Sequence, residues 1–406
     1  MLKSPTARAS SVALTLLTLT ALAATAPVTL VSNNPAADAR KPAIALETNG
    51  GGVIVAWLET VGRVYHAFVK RWDGKAWSVL GGALNRDKTF NSFDIALDLD
   101  KQNRPVVAWT ERSNVSDSKV SGPGKLYAAR WDGKAWQQLG DSPSKRPSSA
   151  SDLPVMKLDP QGNPVMAWNE LSPDFNGNSV FVDRWDGKRW LEVDRGSLSS
   201  DVSSASRSMD LAVTSVGVPI LAWSRQLFDP QRGTLDFNVF VGPFGGVTWN
   251  RAGGSLNIDP ERYAGSPSLE LDARDRPIVA FTEASAGFDV FVKRWSGSAW
   301  ARLGDTVNGR TGLANAPRLA LDASGNPTVA WLENAGSIKV FVKRWDGKTW
   351  QALGGFLNVD PKAYVESSSL ALDVNGYPVV VWSEEVSRTQ RRVYVKRWNG
   401  TAWTGL

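Results

Sequence analysis

The sequence predicts an all-β fold, a seven-bladed β-propeller with four antiparallel strands in each blade, and three observations support it. All 19 tryptophans lie on a pattern that repeats seven times, at intervals of about fifty residues, a spacing typical of repeat architectures. Proline precedes the first aromatic position of six units by four residues, and glycine follows the second aromatic position of every unit by two. Because one such unit forms a small sheet that cannot bury its own faces, the repeats predict a closed ring of blades.

Each unit has three aromatic positions, with phenylalanine at two of them, Phe244 and Phe281. The first positions are Trp57, Trp109, Trp168, Trp223, Phe281, Trp331 and Trp382. The second and third positions are five residues apart, at Trp72/Trp77, Trp131/Trp136, Trp185/Trp190, Phe244/Trp249, Trp295/Trp300, Trp345/Trp350 and Trp398/Trp403. This regularity predicts that most of the indoles stabilise the blades.

Four strand-like segments are clearest in the sixth unit, at residues 318–322, 327–333, 340–345 and 349–353. The repeated proline opens the second segment, where it costs no ladder hydrogen bond, and the repeated glycine suits a tight hairpin before the fourth. The predicted blades are residues 42–85, 92–142, 152–195, 208–257, 266–309, 316–358 and 367–406. No strand is borrowed across the seam in this scheme, so closure is expected to depend on blade packing, with residues 27–32 as a clasping strand if the leader is cut early.

The first 39 residues are predicted to be a secretory leader, and residues 40–406 a single propeller. Lys3 and Arg8 precede an apolar stretch at residues 12–24 that is too short for a membrane span. Cleavage is expected after Ala23 or after Ala39, with the second preferred. The absence of cysteine excludes disulfides and thiolate metal sites. These features predict an exported bacterial protein, periplasmic, extracellular or on the cell surface, without a transmembrane span in its mature chain.

The formal net charge of +6 includes no run of five basic residues, which favours ordinary surface charge over nucleic-acid binding. We expect a monomer whose partner is a protein or a glycan.

The repeated hairpin Trp-Asp-Gly-x-x-Trp resembles bacterial β-propeller repeats of the kelch and sialidase-like kind. The resemblance covers all seven units and implies a propeller. It implies no sialidase activity, because the sialidase box Ser/Thr-x-Asp-x-Gly-x-x-Trp separates its aspartate from the glycine, whereas Asp73, Asp132, Asp186 and Asp346 directly precede theirs.

A single histidine, His66, limits the possible chemistry. It lies in a strand-like segment, and the chain has no Gly-x-Ser-x-Gly elbow, so a serine triad is not expected. Histidine-rich metal sites are excluded, whereas oxygen-only sites remain open. We expect no cofactor, with calcium as a weak alternative at the loop beginning with Asp373.

A repeated acid and a repeated base accompany the tryptophans. The acids, two residues after the first aromatic position, are Glu59, Glu111, Glu170, Glu283, Glu333 and Glu384. The bases, one residue before the second, are Arg71, Arg130, Arg184, Arg294, Arg344 and Arg397. The fourth unit loses both, with Arg225 and Pro243 in their places. Cross-strand ion pairs beside a packed indole are one interpretation, and a sugar site in every blade, similar to bladed fucose-type lectins, is the other.

The connections between blades repeat Leu-Asn/Ser-x-Asp and are expected to approach the mouth of the central channel. Their aspartates are Asp87, Asp201, Asp259 and Asp360. They are candidate channel-mouth ligands, although an Asx turn, in which the side chain bonds its own backbone, accounts for the same pattern.

The leading functional prediction is a secreted, non-enzymatic scaffold that binds a protein or glycan partner through rim loops, the longest at residues 112–125 and 225–236. One alternative is a multivalent lectin that uses the repeated Glu, Arg and Trp. A second alternative is a polysaccharide lyase or glycoside hydrolase with carboxylates at the channel mouth.

Overall fold

A computed structural model describes residues 28–48, 51–113, 124–145, 151–171, 178–193, 208–229, 234–245, 252–309 and 312–406. These residues form seven antiparallel sheets arranged in chain order. The predicted seven-bladed β-propeller is confirmed. No helix in this part of the chain has the length and hydropathy needed to cross a membrane.

Every blade contributes one innermost strand to the wall of the central channel. These strands are β2 (Ala39–Leu46), β6 (Asn91–Leu99), β10 (Ser151–Leu158), β14 (Met209–Val213), β17 (Ala264–Leu271), β21 (Ala314–Leu321) and β25 (Val365–Leu372). The second strands begin mostly with the repeated proline: β3 (Val53–Val61), β7 (Pro105–Arg112), β11 (Pro164–Leu171), β15 (Pro219–Asp229), β18 (Pro277–Ala284), β22 (Pro327–Asn334) and β26 (Pro378–Ser387).

The third strands end close to the second aromatic position, and the short outer strands begin at the third. The third strands are β4 (Val64–Trp72), β8 (Lys125–Trp131), β12 (Asn178–Trp185), β16 (Thr234–Pro243), β19 (Phe288–Trp295), β23 (Ile338–Trp345) and β27 (Gln390–Trp398). The outer strands are β5 (Trp77–Val79), β9 (Trp136–Gln138), β13 (Trp190–Glu192), β20 (Trp300–Arg302), β24 (Trp350–Ala352) and β28 (Trp403–Thr404). In the fourth blade the described residues form three strands, since residues 246–251 lie outside them.

The core lies between neighbouring blades, with the first aromatic position at its centre. Trp57, Trp109, Trp168, Trp382 and Phe281 have no exposed surface. Each indole packs on an aromatic ring of the adjacent third strand, as Trp331 packs on Phe341 with ring centroids 5.7 Å apart. Burying one indole contributes up to about 4–6 kcal/mol of hydrophobic free energy. The predicted stabilising role of these side chains follows from this burial.

Among the described residues, the paired tryptophans of five blades bind the preceding blade. The rings of Trp345 and Trp350 lie 5.3 Å apart, and Trp350 Nε1 donates a 2.9 Å hydrogen bond to the carbonyl of Leu303 in the preceding blade. Gly304 has a φ of 71°, and a Cβ there would lie 2.8 Å from the Trp345 ring. Glycine is therefore required both for the left-handed backbone and for the approach of the indole.

The ring closes through an N-terminal strand, β1 (Thr29–Leu30), which pairs with β27 in the last blade. The N–H of Val31 donates to the carbonyl of Val393 at 2.8 Å, as the N–H of Leu84 donates to Ala67 at 2.9 Å where the first blade leads into the second. Residues 31–34 therefore occupy the place of a connector between blades. The expectation that closure depends on packing alone is wrong, and the clasping strand within residues 27–32 is present. Cleavage after Ala39 would remove it, and the cleavage site itself stays a prediction.

All seven innermost strands surround a channel of about 390 Å³. We call the face where the connectors enter these strands the upper face. Because neighbouring strands are antiparallel, the third strands also begin there. In six blades the pairing register of the innermost strand shifts close to this end. Lys41, Ser266 and Ala316, at three of these bulges, have φ values of 54°, 50° and 48°, and each precedes a proline. The mouth therefore includes strained backbone of the kind that concentrates at functional sites.

Candidate functional site

The six repeated glutamates are buried anchors for the connectors. Their exposed fractions range from 0% at Glu170 to 5% at Glu333. At the junction between the sixth and seventh blades, Glu384 accepts hydrogen bonds from the indole of Trp382 at 2.7 Å and from the N–H groups of Val359 and Asp360 at 2.9 and 2.7 Å. The same indole contact occurs at Glu59, Glu111, Glu170 and Glu333. Connector N–H groups also bind Glu59, Glu111, Glu170 and Glu283.

A lysine near the end of the third strand strengthens this anchor. Lys343 donates to the carbonyl of Val307 in the preceding connector at 2.7 Å, and Lys70 donates to that of Val31 at 2.6 Å. In the third blade the charges are exchanged, because Asp183 on the strand accepts a 2.7 Å hydrogen bond from Lys145 on the connector. The third blade thus keeps a polar contact between strand and connector with different residues, which indicates a structural role for the contact.

The repeated arginines bind at the other end of the blade. Arg130, Arg184, Arg294 and Arg344 each donate to the carbonyl of a glycine in the next blade, at Gly162, Gly217, Gly325 and Gly376. Arg397 reaches Gly51 across the seam at 3.4 Å. Arg71 instead pairs with Glu47 of its own blade, with Nε 2.8 Å from Oε1.

The acid and the base of one blade are therefore separated. In the first blade Arg71 is paired with Ile54, five residues from Glu59, a distance of about 17 Å along a strand. The predicted cross-strand ion pair is wrong, because the repeat places the two charges at opposite ends of the sheet. The structure brings neither Glu59 and Arg71 nor their counterparts together into one sugar site, so a lectin that uses these residues has no geometric support.

The connector aspartates form local turns. Asp87 accepts hydrogen bonds from the N–H and hydroxyl of Thr89, and Asp259 and Asp360 bind N–H groups two residues ahead. None of these three is among the residues that line the channel. Asp201 lies outside the described residues.

His66 is buried within β4, and burial lowers its pKa. No group of three His, Asp or Glu side chains in the described ranges is arranged to hold a metal ion. Asp373, in the loop with a calcium-like pattern, binds the N–H groups of Asn375 and Tyr377 at 2.9 Å.

Departures from the repeat converge on the upper face at the seam, where Asp38, Arg40, Tyr65, Glu366 and Arg391 form what we call the seam cluster. The carboxylate of Asp38 accepts hydrogen bonds from the hydroxyl of Tyr65 and the guanidinium of Arg40. The Arg40 guanidinium lies 4.4 Å from the centroid of the Tyr65 ring. From the last blade, the Arg391 N–H donates to Asp38 at 2.7 Å, and Arg391 Nε lies 2.9 Å from a carboxylate oxygen of Glu366.

The elements that carry these residues meet at the channel mouth. Arg40 and Glu366 lie at the bulges of β2 and β25, next to the channel-lining residues Lys41 and Ser367. Tyr65 and Arg391 occupy equivalent positions near the start of two third strands, seven residues before Trp72 and Trp398. Arg40, Arg391 and Glu366 retain 28%, 20% and 24% of their side-chain exposure, so they are accessible to a ligand.

Electrostatics keep the tyrosine protonated and the aspartate charged. Burial raises the pKa of Tyr65, and its hydrogen bond to Asp38 raises it further. Burial alone would raise the pKa of Asp38, but the hydrogen bonds from Tyr65, Arg40 and the Arg391 N–H outweigh burial and lower it. The hydroxyl of Tyr65 therefore stays protonated over the physiological pH range.

Charge is unevenly distributed around the mouth. Beside the seam cluster, Lys41 pairs with Asp94 at 3.1 Å, and Arg112 pairs with Asp152. Toward the fifth and sixth blades, Ser266 donates a 3.3 Å hydrogen bond to Asn315, and Arg318 of the sixth blade also lines the channel. The two charged pairs therefore lie on the side of the first, second and third blades.

A second set of charges lies deeper in the channel. Lys157 and Glu270, from the third and fifth blades, form an ion pair at 3.1 Å across the channel. Glu270 raises the pKa of Lys157, and burial raises the pKa of Glu270. Most other blades have alanine at this position, including Ala45 and Ala320, so the pair is not a requirement of the repeat.

The seam cluster combines two guanidinium groups, a tyrosine hydroxyl and a carboxylate on one accessible surface. Guanidinium groups bind carboxylates and sulfates by paired hydrogen bonds, and tyrosine and glutamate serve as general acid and general base. The sequence pattern did not identify these residues because they lie off the repeated positions. Their signal is the contrast with the other units, where the position of Tyr65 and Arg391 holds Gly124, Asn178, Phe237, Phe288 and Ile338.

Comparison with known proteins identifies the fold. No family model and no curated protein sequence matches this chain. An ulvan lyase, a polysaccharide lyase, matches with a TM-score of 0.59 and 12% identity over 91% of this chain and 95% of its own. A protein of unknown function from Dyadobacter fermentans matches with a TM-score of 0.52 and 12% identity over 91% of this chain and 97% of its own. A Hadza microbial sialidase matches with a TM-score of 0.48 and 14% identity over 88% of this chain and 65% of its own.

These comparisons correct the leading functional prediction. A non-enzymatic scaffold is wrong as the first choice, because a polysaccharide lyase shares the propeller over nearly the whole of both chains. The alternative of a polysaccharide lyase or glycoside hydrolase is better supported than the scaffold. At 12% identity the likeness establishes the fold alone, so the activity has to be derived from this chain's own residues. What the comparisons identify is a seven-bladed β-propeller, in a fold shared with a polysaccharide lyase.

Proposed function

We propose that this protein is an exported enzyme that cleaves an acidic polysaccharide by β-elimination, with the seam cluster as its active site. The observation that carries the proposal is the convergence of a tyrosine hydroxyl, two guanidinium groups and a carboxylate at the open mouth of the channel. The fold shared with a polysaccharide lyase supports it.

Substrate binding is assigned to Arg40 and Arg391. Each guanidinium has five N–H donors, and the side chains of Arg40 and Arg391 keep 28% and 20% of their exposure. A uronate carboxylate placed between the two arginines would accept several charge-assisted hydrogen bonds. Recognition of this kind favours polymers whose sugars carry an acidic group.

The chemical step transfers one proton to the enzyme and one from it. Glu366 accepts the proton from C5 of the uronate, the C–H electron pair forms the C4–C5 double bond, and the C4–O bond breaks. Tyr65 donates its hydroxyl proton to the departing oxygen. The arginines stabilise the negative charge that develops on the carboxylate as C5 loses its proton. Proton exchange with water then restores Glu366 and Tyr65.

The same proposal includes export from the cell. It also includes a bacterial origin and a kelch-like and sialidase-like character of the repeats. Residues 1–24 have the charge and hydropathy pattern of a secretory leader, and an exported chain that keeps Asp38 requires the earlier cleavage site, after Ala23. An enzyme that cleaves a polymer too large to enter a cell has to act outside it. We propose that the exported chain acts as a monomer, with a glycan as its partner.

The test is incubation of the purified protein with polygalacturonate, alginate, chondroitin sulfate and the neutral polymer arabinan, followed by ultraviolet absorbance of unsaturated uronate. We expect absorbance to rise with at least one acidic polymer and not with arabinan. Tyr65→Phe removes the proton donor and is expected to lower the rate by about 100-fold or more. Tyr377→Phe, in a turn at the opposite end of the blades, is the matched control and should keep the wild-type rate.

Three outcomes would contradict the proposal. Cleavage with saturated products would indicate a glycoside hydrolase. Saturable binding without cleavage would indicate a lectin. A Tyr65→Phe variant as fast as the wild type would place the chemistry elsewhere.

A further inference from the structure

We infer that Asp38 is a positioning residue of this site, and that the N-terminal segment of residues 29–38 delivers it only when the ring is closed. This inference rests on the proposed function and adds a regulation to it, because the site and the seam assemble together. Asp38 itself is 7% exposed and acts through Tyr65.

The carboxylate of Asp38 joins three elements that are distant in sequence. It belongs to the N-terminal segment, it orients the hydroxyl of Tyr65 in the first blade, and it accepts the N–H of Arg391 in the last blade. Arg40 completes its partners. The charged groups facing Tyr65 are therefore Asp38, Arg40 and Arg391, and Glu366 acts on Arg40.

The segment is held by contacts at both ends. Near its start, the Thr29 hydroxyl donates to the carbonyl of Leu406 at 2.9 Å and accepts the N–H of Leu406 at 3.0 Å. Farther along, Asn33 and Asn34 donate to Glu59 at 2.8 and 3.0 Å. Val31 and Ala39 have no exposed surface. The segment is thus built into the wall between the last and first blades.

Closure differs here from the other junctions, because no peptide bond joins the last blade to the first. Separation of these blades would remove Arg391 and Glu366 from Tyr65 and Arg40 in one motion. Opening of the seam would therefore abolish cleavage before the blades themselves unfold.

A purely structural role for Asp38 makes a different prediction from a positioning role. If Asp38 fastens the seam through Arg40 and the Arg391 N–H and does not hold the Tyr65 hydroxyl, its replacement lowers stability and leaves the ionisation of Tyr65 unchanged in the folded protein. If it positions the tyrosine, Asp38→Asn removes an anion that raises the pKa of Tyr65, while Arg40 and Arg391, which lower it, remain. The pKa of Tyr65 should then fall toward 10, its ordinary value.

The first experiment is a spectrophotometric titration of tyrosinate, in which subtraction of the Tyr65→Phe titration isolates Tyr65. We expect the Asp38→Asn variant to ionise Tyr65 at lower pH than the wild type, and Asp38→Glu to restore much of the shift. An unchanged Tyr65 titration in folded Asp38→Asn would overturn the inference. This measurement needs no substrate, so it decides the role of Asp38 even if no polymer is cleaved and the proposed function fails.

The second experiment follows cleavage against pH. Because Tyr65 acts in its protonated form, activity is lost as pH rises through its pKa, and Asp38→Asn should move this alkaline limb to lower pH. The rate at neutral pH should fall by about tenfold or more, since the Tyr65 hydroxyl loses the carboxylate that fixes its position. A uniform loss of rate with an unmoved limb would indicate a structural role.

The third experiment tests the dependence on ring closure. Leu30 and Tyr394 are directly paired, and the neighbouring hydrogen bond from Val31 to Val393 makes theirs a non-hydrogen-bonded pair, with Cα atoms about 4.5 Å apart, which suits a disulfide. The chain has no cysteine, so Leu30→Cys with Tyr394→Cys creates one unambiguous bridge. The oxidised form should keep cleaving at urea concentrations where the same protein, reduced, is folded but inactive. Loss of activity only at global unfolding in both forms would overturn the coupling.

Discussion

Two junctions of the ring use the same contacts but have different roles. One lies between the sixth and seventh blades, and the other lies between the seventh and the first. Glu384 and Glu59 each bind an indole and two connector N–H groups, and Lys396 and Lys70 each bind a connector carbonyl. At the first junction the connector is continuous with both blades. At the second it is the N-terminal segment, and only there do the charged residues of the seam cluster meet. The comparison teaches that residues obeying the repeat build the ring, whereas residues departing from it are free to carry chemistry.

The largest expected effect is the loss of a connector anchor. Glu384→Ala leaves one buried indole N–H and two partly buried connector N–H groups without an acceptor, and we expect it to lower the free energy of unfolding by about 3–5 kcal/mol. Glu59→Ala should cost a similar amount and also release the N-terminal segment, so it alone should abolish cleavage under conditions where both variants are folded. Urea denaturation followed by tryptophan fluorescence, with cleavage measured in parallel, compares the two. Equal retention of activity would contradict the distinction between the junctions.

A glycine packs against the paired indoles at junctions other than the seam, which we call regular junctions. A Cβ on Gly253 would lie 2.6 Å from the ring of Trp295, whereas nothing lies within 4 Å of one on Gly254. Both glycines have positive φ, 73° and 77°, so alanine strains the backbone equally at the two positions. We expect Gly253→Ala to lower the unfolding free energy by about 2 kcal/mol more than Gly254→Ala. Equal midpoints in urea for the two variants would show that the indoles shift without cost.

The indole at the third aromatic position differs in its hydrogen bond between a regular junction and the seam. Trp350 donates to Leu303 at 2.9 Å, whereas Nε1 of Trp77, which faces the seam, has no acceptor among the described residues. Phenylalanine keeps a ring and removes the donor. Trp350→Phe should therefore cost about 1 kcal/mol more than Trp77→Phe, as measured by thermal or urea unfolding. A reversed order would contradict this account of the indole bonds.

Among the described residues, the seam also lacks an asparagine hydrogen bond that other junctions have. Asn358 accepts the N–H of Val340 at 3.1 Å, but the equivalent residue of the N-terminal segment is Ser32, which is buried and whose hydroxyl has no partner in the described part of the chain. We expect Ser32→Asn to raise the unfolding free energy by about 0.5–1 kcal/mol. The control is Asn358→Ser, which should lower it. A destabilised Ser32→Asn variant would mean that the seam is packed differently from the other junctions.

Acid should weaken the seam through Asp38. Because the folded-state pKa of Asp38 lies below 3.8, its contribution to stability is present above that pH and is lost as pH falls through the lowered pKa. The difference in unfolding free energy between wild type and Asp38→Asn should accordingly shrink on acidification below 3.8. A difference that stays constant across this range would show that the charge of Asp38 does not fasten the ring.

Much of the fold was predictable from the sequence because the repeat is enforced at every blade by the same packing. Trp331, Pro327 and Gly347 occupy their expected places in one blade, and the same spacing holds around the ring. The innermost strand of that blade begins at Ala314, earlier than predicted, because a bulge interrupts its alternating pattern. Short-range patterns describe a strand poorly where its register shifts.

The candidate site was much less predictable. Glu59 and Arg71 were correctly recognised as repeated, but sequence spacing does not show that Glu59 binds the N-terminal segment while Arg71 pairs with Glu47. Asp38 was assigned to the leader, and its contact with Arg391 spans 353 residues. Such a contact depends on how the ring closes, and a local sequence pattern does not specify that closure.

The central claim is that residues departing from the repeat carry the chemistry, and the most direct test is the cleavage rate of folded Tyr65→Phe on an acidic polysaccharide. We predict a rate about 100-fold or more below the wild type, with a urea midpoint within the range of the Tyr377→Phe control. A Tyr65→Phe variant that cleaves as fast as the wild type would contradict the account and return the seam cluster to a purely structural role.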